Sequence, residues 1–219
     1  PIYTFFLEVV ENKIWCINKF GIIIEIKIED LNKKIKPKII KSNLKSIKVL
    51  DTLIYKDKIF VSFFVKNNEC HMLKIASAKI NSEYLNFENL FNPDECGKKI
   101  MRGGRMQFFK NNNSDGLLLT TGNFSFDQPD NRPQNDNSIF GKIIFVNFEG
   151  KNFEIFSKGH RNSQGLYVEK DLILSTEHGP RGGDEINKII FNSNYGWPIS
   201  SYGDKYYKKK NEVSIPNYK

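Results

Sequence analysis

Cysteine is scarce in this chain: Cys16, Cys70 and Cys96 are the three among 219 residues. They lie far apart, form no Cys-x-x-Cys pair and stand in no metal-binding spacing with histidine, which excludes the common structural zinc sites. An odd, dispersed set also argues against a disulfide framework, so buried free thiols are the expectation. Long apolar runs are missing as well. The longest, such as residues 20–24, are far too short to cross a bilayer, and no membrane span is expected in this segment. No signal peptide is visible, although the chain opens on Pro1 and not on Met, so its natural start is expected to lie elsewhere. Apolar residues almost never recur at helical spacing, which argues against a helical protein.

What is present suits a packed β-protein. Apolar residues make up 39% of the chain and aromatics 13%, enough for one sizeable core or two small ones. The net charge is +8, with Lys far commoner than Arg, and abundant Asn and Ile suggest that an AT-rich coding sequence accounts for much of it. The basic runs at residues 32–41 and 205–210 have little aromatic interleaving and lie on no nucleic-acid module. They are read as solvated surface, and no nucleic-acid partner is expected.

Short β-branched and aromatic runs recur along the whole length, at residues 3–10, 13–18, 22–28, 53–55, 58–65 and 71–76. They continue at 105–109, 116–121, 141–147, 153–156, 165–168, 172–176 and 185–191. Turn signals separate them, among them Glu11-Asn12, residues 111–116 and Glu169-Lys170-Asp171. Many short strands at this spacing mean a sandwich, a barrel or a propeller. Internal repetition favours the last. Residues 103–122 and 163–179 share a grammar of glycine, apolar run, polar turn and a strand ending in threonine, and residues 46–64 form a weaker copy. A period of roughly 50 to 60 residues suits propeller blades with long loops. The expectation is an all-β propeller of four-stranded blades, about four of them in this chain, either a small closed ring or, as favoured, part of a larger one.

The densest motifs lie in residues 159–198. Gly159-His160-Arg161-Asn162 is followed by Gln164-Gly165-Leu166. Thr176-Glu177-His178-Gly179-Pro180 leads to Gly183-Asp184-Glu185-Ile186-Asn187, and Asn194-Tyr195-Gly196-Trp197-Pro198 closes the block. In this order the three motifs resemble the glucose/sorbosone dehydrogenase family, soluble quinoprotein sugar dehydrogenases built on a six-bladed β-propeller. Residues 103–150 resemble the preceding blade, and the match is best over 100–200. The resemblance implies a single propeller domain over 1–219, incomplete at both ends. It also implies oxidation of aldoses to lactones with pyrroloquinoline quinone and Ca2+, a small-molecule sugar and an electron acceptor as partners, and a periplasmic or exported protein.

By the same resemblance, Arg161 and Asn162 contact the cofactor, where a guanidinium fork suits carboxylates and an amide suits a quinone oxygen. Gly179 and Pro180 supply carbonyl oxygens to the cofactor's calcium, and Glu185 with the main chain of Tyr195 serves a second, structural calcium. Calcium takes six to eight oxygens, main-chain carbonyls included. Other readings stand beside these. Trp197 is expected to pack and not to bind, Asp184 taken alone is a solvated turn acid, and His160 and His178 stay unassigned, His178 also fitting as a cap for its turn. The loop at residues 127–138 is oxygen-rich enough for calcium, but it lacks the features of an EF-hand and is read as a mobile loop. A phosphate-loop reading of residues 179–185 fails because no Gly-Lys-Ser/Thr follows.

The chain departs from the family at the proton acceptor. Met101 stands where the general-base histidine is expected, and Asn123 where the acid that orients it is expected. A thioether accepts no useful proton, so catalytic residues are not assigned. The alternative is a non-catalytic calcium-binding propeller that binds a glycan or a protein.

Overall fold

The computed structural model describes residues 5–34, 36–68, 70–80, 83–97, 102–111, 114–123, 130–149 and 152–204. Among them the helical pieces are two single 3-10 turns, Ile28–Asp30 and Arg132–Gln134; everything else regular is strand. The chain divides into two compact units, Pro1–Lys98 and Lys99–Lys219.

In the first unit, β1 (Phe5–Val10), β2 (Lys13–Asn18), β3 (Ile23–Lys27) and β4 (Lys38–Ser42) form one antiparallel meander. A second is built from β5 (Lys48–Tyr55), β6 (Lys58–Asn67), β7 (Cys70–Lys79) and β9 (Glu88–Phe91). The two-residue strand β8 (Tyr84–Leu85) returns from the second meander to pair in parallel with β4. The second unit repeats the plan. Its first meander is β10 (Gly103–Asn111), β11 (Ser114–Thr121), β12 (Lys142–Asn147) and β13 (Phe153–Lys158); its second is β14 (Ser163–Glu169), β15 (Leu172–Glu177) and β16 (Glu185–Lys188). Here β17 (Ser193–Asn194) returns in parallel to β13. Meanders of this kind are propeller blades. The described residues form four, the last over three strands.

The repeats found in the sequence are the opening hairpins of these blades. In β5–β6, β10–β11 and β14–β15 the register slips at the same place, between Val49 and Asp51, Gly103 and Met106, and Ser163 and Gly165. A bulge there bends the first strand. At Gly103 the bend needs a glycine: φ is +85°, and a Cβ would meet main-chain atoms of Thr120 and Gly122 within 2.9 Å. Within each unit the two blades face each other with alternating apolar residues. In the first unit Trp15, Ile17 and Ile23 pack with Val61, Phe63 and Ala76. In the second, Leu118, Ile143 and Phe145 pack with Phe156, Ile173 and Ile189.

Four strands lie outside the apolar runs read from the sequence: β4, β8, β9 and β17. Most of β4 lies in the first basic run. Ile40 is its one buried residue, so its apolar signal is minimal and its pairing with β3 holds it. The expected turn at 111–116 is also shorter, since β10 and β11 run into it. Two of the three cysteines contradict expectation. Cys70 and Cys96 form a disulfide with Cα atoms 5.7 Å apart, and Cys16 is free. The reason is topological: His71 and Gly97 exchange two main-chain hydrogen bonds of 2.8 and 2.9 Å, which brings two distant positions side by side.

Candidate functional site

The three motifs of residues 159–198 meet in the second unit. Gly159 leaves β13 at φ +78° and starts a short turn through His160, Arg161 and Asn162 into β14. All three side chains are buried. What allows a charged and polar triplet to be buried is Glu177, the last residue of β15. Its Oε1 accepts the main-chain N–H groups of Arg161 and Asn162, the latter at 3.3 Å. Its Oε2 accepts Ser163 Oγ at 3.0 Å and lies 3.0 Å from His160 Nδ1. His160 Nε2 is 2.9 Å from Ser157 Oγ, and its ring stacks on Tyr195 with centroids 4.7 Å apart. Burial alone would raise the Glu177 carboxyl, but the His160 ring and the N–H and O–H donors around it hold it below its ordinary value.

Arg161 then reaches across to the 178–184 turn. Its Nη1 donates to the carbonyls of His178 and Gly179 at 2.8 and 2.6 Å, and its guanidinium lies 5.3 Å from the Trp197 ring. The turn is closed by Asp184, whose Oδ1 accepts Gly179 N–H at 2.9 Å and whose Oδ2 lies 3.3 Å from His178 Nδ1. The Gly179 N–H bond, followed by the His178 contact, holds the exposed Asp184 carboxyl low. Asp184 is therefore the cap of this turn, and His178 its exposed partner. Gly179 is required by crowding, since a Cβ there would meet the carbonyls of Gly182 and Gly183 within 2.4 Å, whereas Gly182 has open space and serves its φ of +70°.

Glu185 opens β16 and shares a small cleft with Arg161, Glu177, Gly179, Tyr195 and Trp197. It is half-buried, and burial first, with Glu177 nearby second, pushes its carboxyl up against the pull of Asn187. Tyr195 is anchored through its hydroxyl, which donates to Lys188 O at 2.6 Å and accepts Ile190 N–H at 2.9 Å. Pro180 is buried in the same turn. Thus Arg161, Asn162, Gly179, Pro180, Glu185 and Tyr195 are brought together.

Their chemistry suits a cation. The carbonyls of His178 and Gly179 already converge on one positive group, and the Glu185 carboxylate stands in the same cleft. No cluster of three His, Cys, Asp or Glu residues that could hold a metal occurs among the described residues. The donor set is instead carbonyls with single carboxylates, the kind a hard ion takes.

Met101 lies outside the described residues. Asn123, fully buried, follows β11. Its N–H donates to Arg161 O at 2.7 Å, and its carbonyl accepts Trp197 Nε1 at 3.0 Å. Trp197 is thus held by its indole N–H while its half-buried ring lines the cleft. Of the oxygen-rich loop, residues 130–138 are among those described. They are pinned by Asp130 to Arg132, an ion pair that overcomes burial and holds the Asp130 carboxyl low. The role of Glu177 is invisible in the sequence, where it reads as one more turn acid. The signal available was a carboxylate ending a strand in which Ile173 and Ser175 point inward.

The profile of the glucose/sorbosone dehydrogenase family matches residues 41–217. An aldose sugar dehydrogenase of Escherichia coli is 44% identical over 64 residues, covering 28% of this chain and 17% of that protein. Quinoprotein glucose dehydrogenase B of Acinetobacter calcoaceticus is 43% identical over 80 residues, covering 31% and 17%. The matches thus span about a fifth or less of those relatives. A crystal structure of a glucose dehydrogenase superposes with a TM-score of 0.74 at 21% identity, covering 94% of this chain and 68% of the other. The quinone-bound aldose sugar dehydrogenase of Streptomyces coelicolor gives 0.66 at 19% identity, covering 90% and 63%. These likenesses establish the propeller fold. No helix among the described residues is long and apolar enough to cross a membrane.

Proposed function

The chain belongs to the glucose/sorbosone dehydrogenase family, and on that premise we propose that it is the quinone- and calcium-holding part of a sugar dehydrogenase that oxidises aldoses to lactones. The observation that carries this reading is the convergence of the His178 and Gly179 carbonyls on the Arg161 guanidinium beside Trp197. In the reading, the carbonyls of Gly179 and Pro180 hold a calcium ion at the cofactor, while Arg161 and Asn162 hold cofactor oxygens. Glu185 and the Tyr195 carbonyl hold a second calcium. Bound pyrroloquinoline quinone supplies a two-electron acceptor whose carbonyls calcium polarises. Glu177 fixes the turn that presents Arg161 and Asn162. Export fits the reading, because the Cys70–Cys96 disulfide belongs in an oxidising compartment; recovery in the cytosolic fraction with both thiols reduced would reject it.

The full-length protein should develop a quinone spectrum on titration with pyrroloquinoline quinone and calcium, and reduce a dye with aldoses. Neither spectrum nor turnover would end the proposal. The proton acceptor is the weak point, since Asn123 carries a neutral amide and Met101 a thioether. The double substitution Met101→His with Asn123→Asp should raise turnover by roughly 10²–10⁴-fold, the usual worth of a general base. A second reading draws on the same Asn123: a propeller that binds calcium and recognises a glycan or protein without catalysis. It predicts calcium binding with no quinone binding.

A further inference from the structure

Lys142 is anomalous for its place in the chain. It opens β12, whose first five residues are all buried, and it is itself fully buried. A charge taken out of water is tolerated only where it regains its hydrogen bonds. Here Nζ donates to the main-chain carbonyls of Arg132 at 2.7 Å, Pro133 at 3.1 Å and Phe140 at 3.0 Å, one for each N–H. Both ends of the 132–140 loop therefore close on a single positive charge, as a loop's carbonyls close on a bound metal ion.

That loop is wired to the candidate site. The Pro133 carbonyl also accepts Gly159 N–H at 3.0 Å, and the Gly141 carbonyl accepts His160 N–H at 3.1 Å. Gln134 Nε2 donates to the Trp197 carbonyl at 2.7 Å, and its amide pairs with that of Asn194. Trp197 N–H in turn donates to Gly159 O at 2.9 Å. There is no slack at the loop's end: a Cβ on Gly141 would meet Pro133 and His160 O at 2.6 Å.

We propose that Lys142 is a positioning residue, a tethered cation that organises the 132–140 loop and through it sets Trp197 and the Gly159–Asn162 turn for the quinone. The quinone part rests on the proposed function; the positioning is independent of it. In a Trp15→Phe background Trp197 is the sole tryptophan. There, Lys142→Met keeps the length of the stem and removes the charge. With unchanged far-ultraviolet dichroism, it should red-shift Trp197 emission and increase its quenching by acrylamide in cofactor-free protein. It should also weaken binding of pyrroloquinoline quinone with calcium by ~10-fold or more, the usual effect of losing a supporting shell. Unchanged emission overturns the inference, and so does equal affinity of the two proteins where the parent binds the quinone. Should Lys142→Met fail to fold, Gln134→Leu cuts the loop from Trp197 and leaves the ammonium cage intact; unaltered emission in that variant also overturns it. If the parent protein binds no quinone while emission still shifts, the positioning stands and the proposed function falls.

Discussion

Glu177 is the residue on which the geometry of Arg161 and Asn162 depends. One carboxylate accepts two consecutive main-chain N–H groups and a serine hydroxyl and sits against His160, all out of water. Replacing it by Gln turns an acceptor toward donors as a donor, and at ~1–3 kcal/mol for an unsatisfied buried group the loss should be readily measured in denaturant melts. The pH dependence follows from its direction of shift. The folded-state pKa lies below the ordinary 4.5, so this stabilisation is complete above that value and is lost as pH falls through the folded one. Acid unfolding of the parent should therefore include a limb below about pH 4.5 that Glu177→Gln removes. An unchanged acid limb in the variant would show that the carboxylate is not the group responsible. In the sequence this residue was one acid among several; its role appears only when β15 ends beside the turn from β13.

At the scale of elements, the repeat of glycine, apolar run, turn and threonine-ended strand was legible because each blade must solve the same problem. The first strand has to bend and then pair, and the bulges at Val49, Gly103 and Ser163 are that solution three times. Strands β4, β8, β9 and β17 were not legible, because they are short or lie at edges and are held by pairing more than by apolar pattern. The disulfide was illegible for a similar reason: 26 residues separate Cys70 from Cys96, and only the pairing of β7 with the segment after β9 brings them together. Closing a loop of that length should contribute ~3 kcal/mol by the chain-entropy account. Cys70→Ser, or reduction of the parent, should lower the stability of the protein by about that amount in denaturant melts. A melt indifferent to reductant would contradict the pairing.

At the scale of the molecule, we propose that residues 1–219 belong to one propeller domain. Calcium provides the test, because an ion bound only by the native state raises its stability, by ~2.7 kcal/mol at a hundredfold excess over Kd. One cooperative melt should move up in calcium and down in chelator, and Glu185→Ala should blunt the shift. Two separate transitions would argue against a single domain, and a melt untouched by calcium would remove the ion from both functional readings. The net charge of +8 enters none of this, since the residues that gather at the site are carbonyl, amide and carboxylate donors with a single guanidinium.

The sequence by itself determined the blade: the alternation of apolar residues, the turns and the glycines of the 179–183 loop are local requirements, met by local residue choice. Its order of motifs also named the residues that would share a site. Tertiary structure alone decided what those residues do to one another. It set the Gly179 carbonyl against Arg161, buried Glu177 under the Arg161–Asn162 turn, joined Cys70 to Cys96 and closed a ring of carbonyls around Lys142. Each of these is a contact between groups distant in sequence, and a charge in a buried place declares its purpose only when its partners are in view.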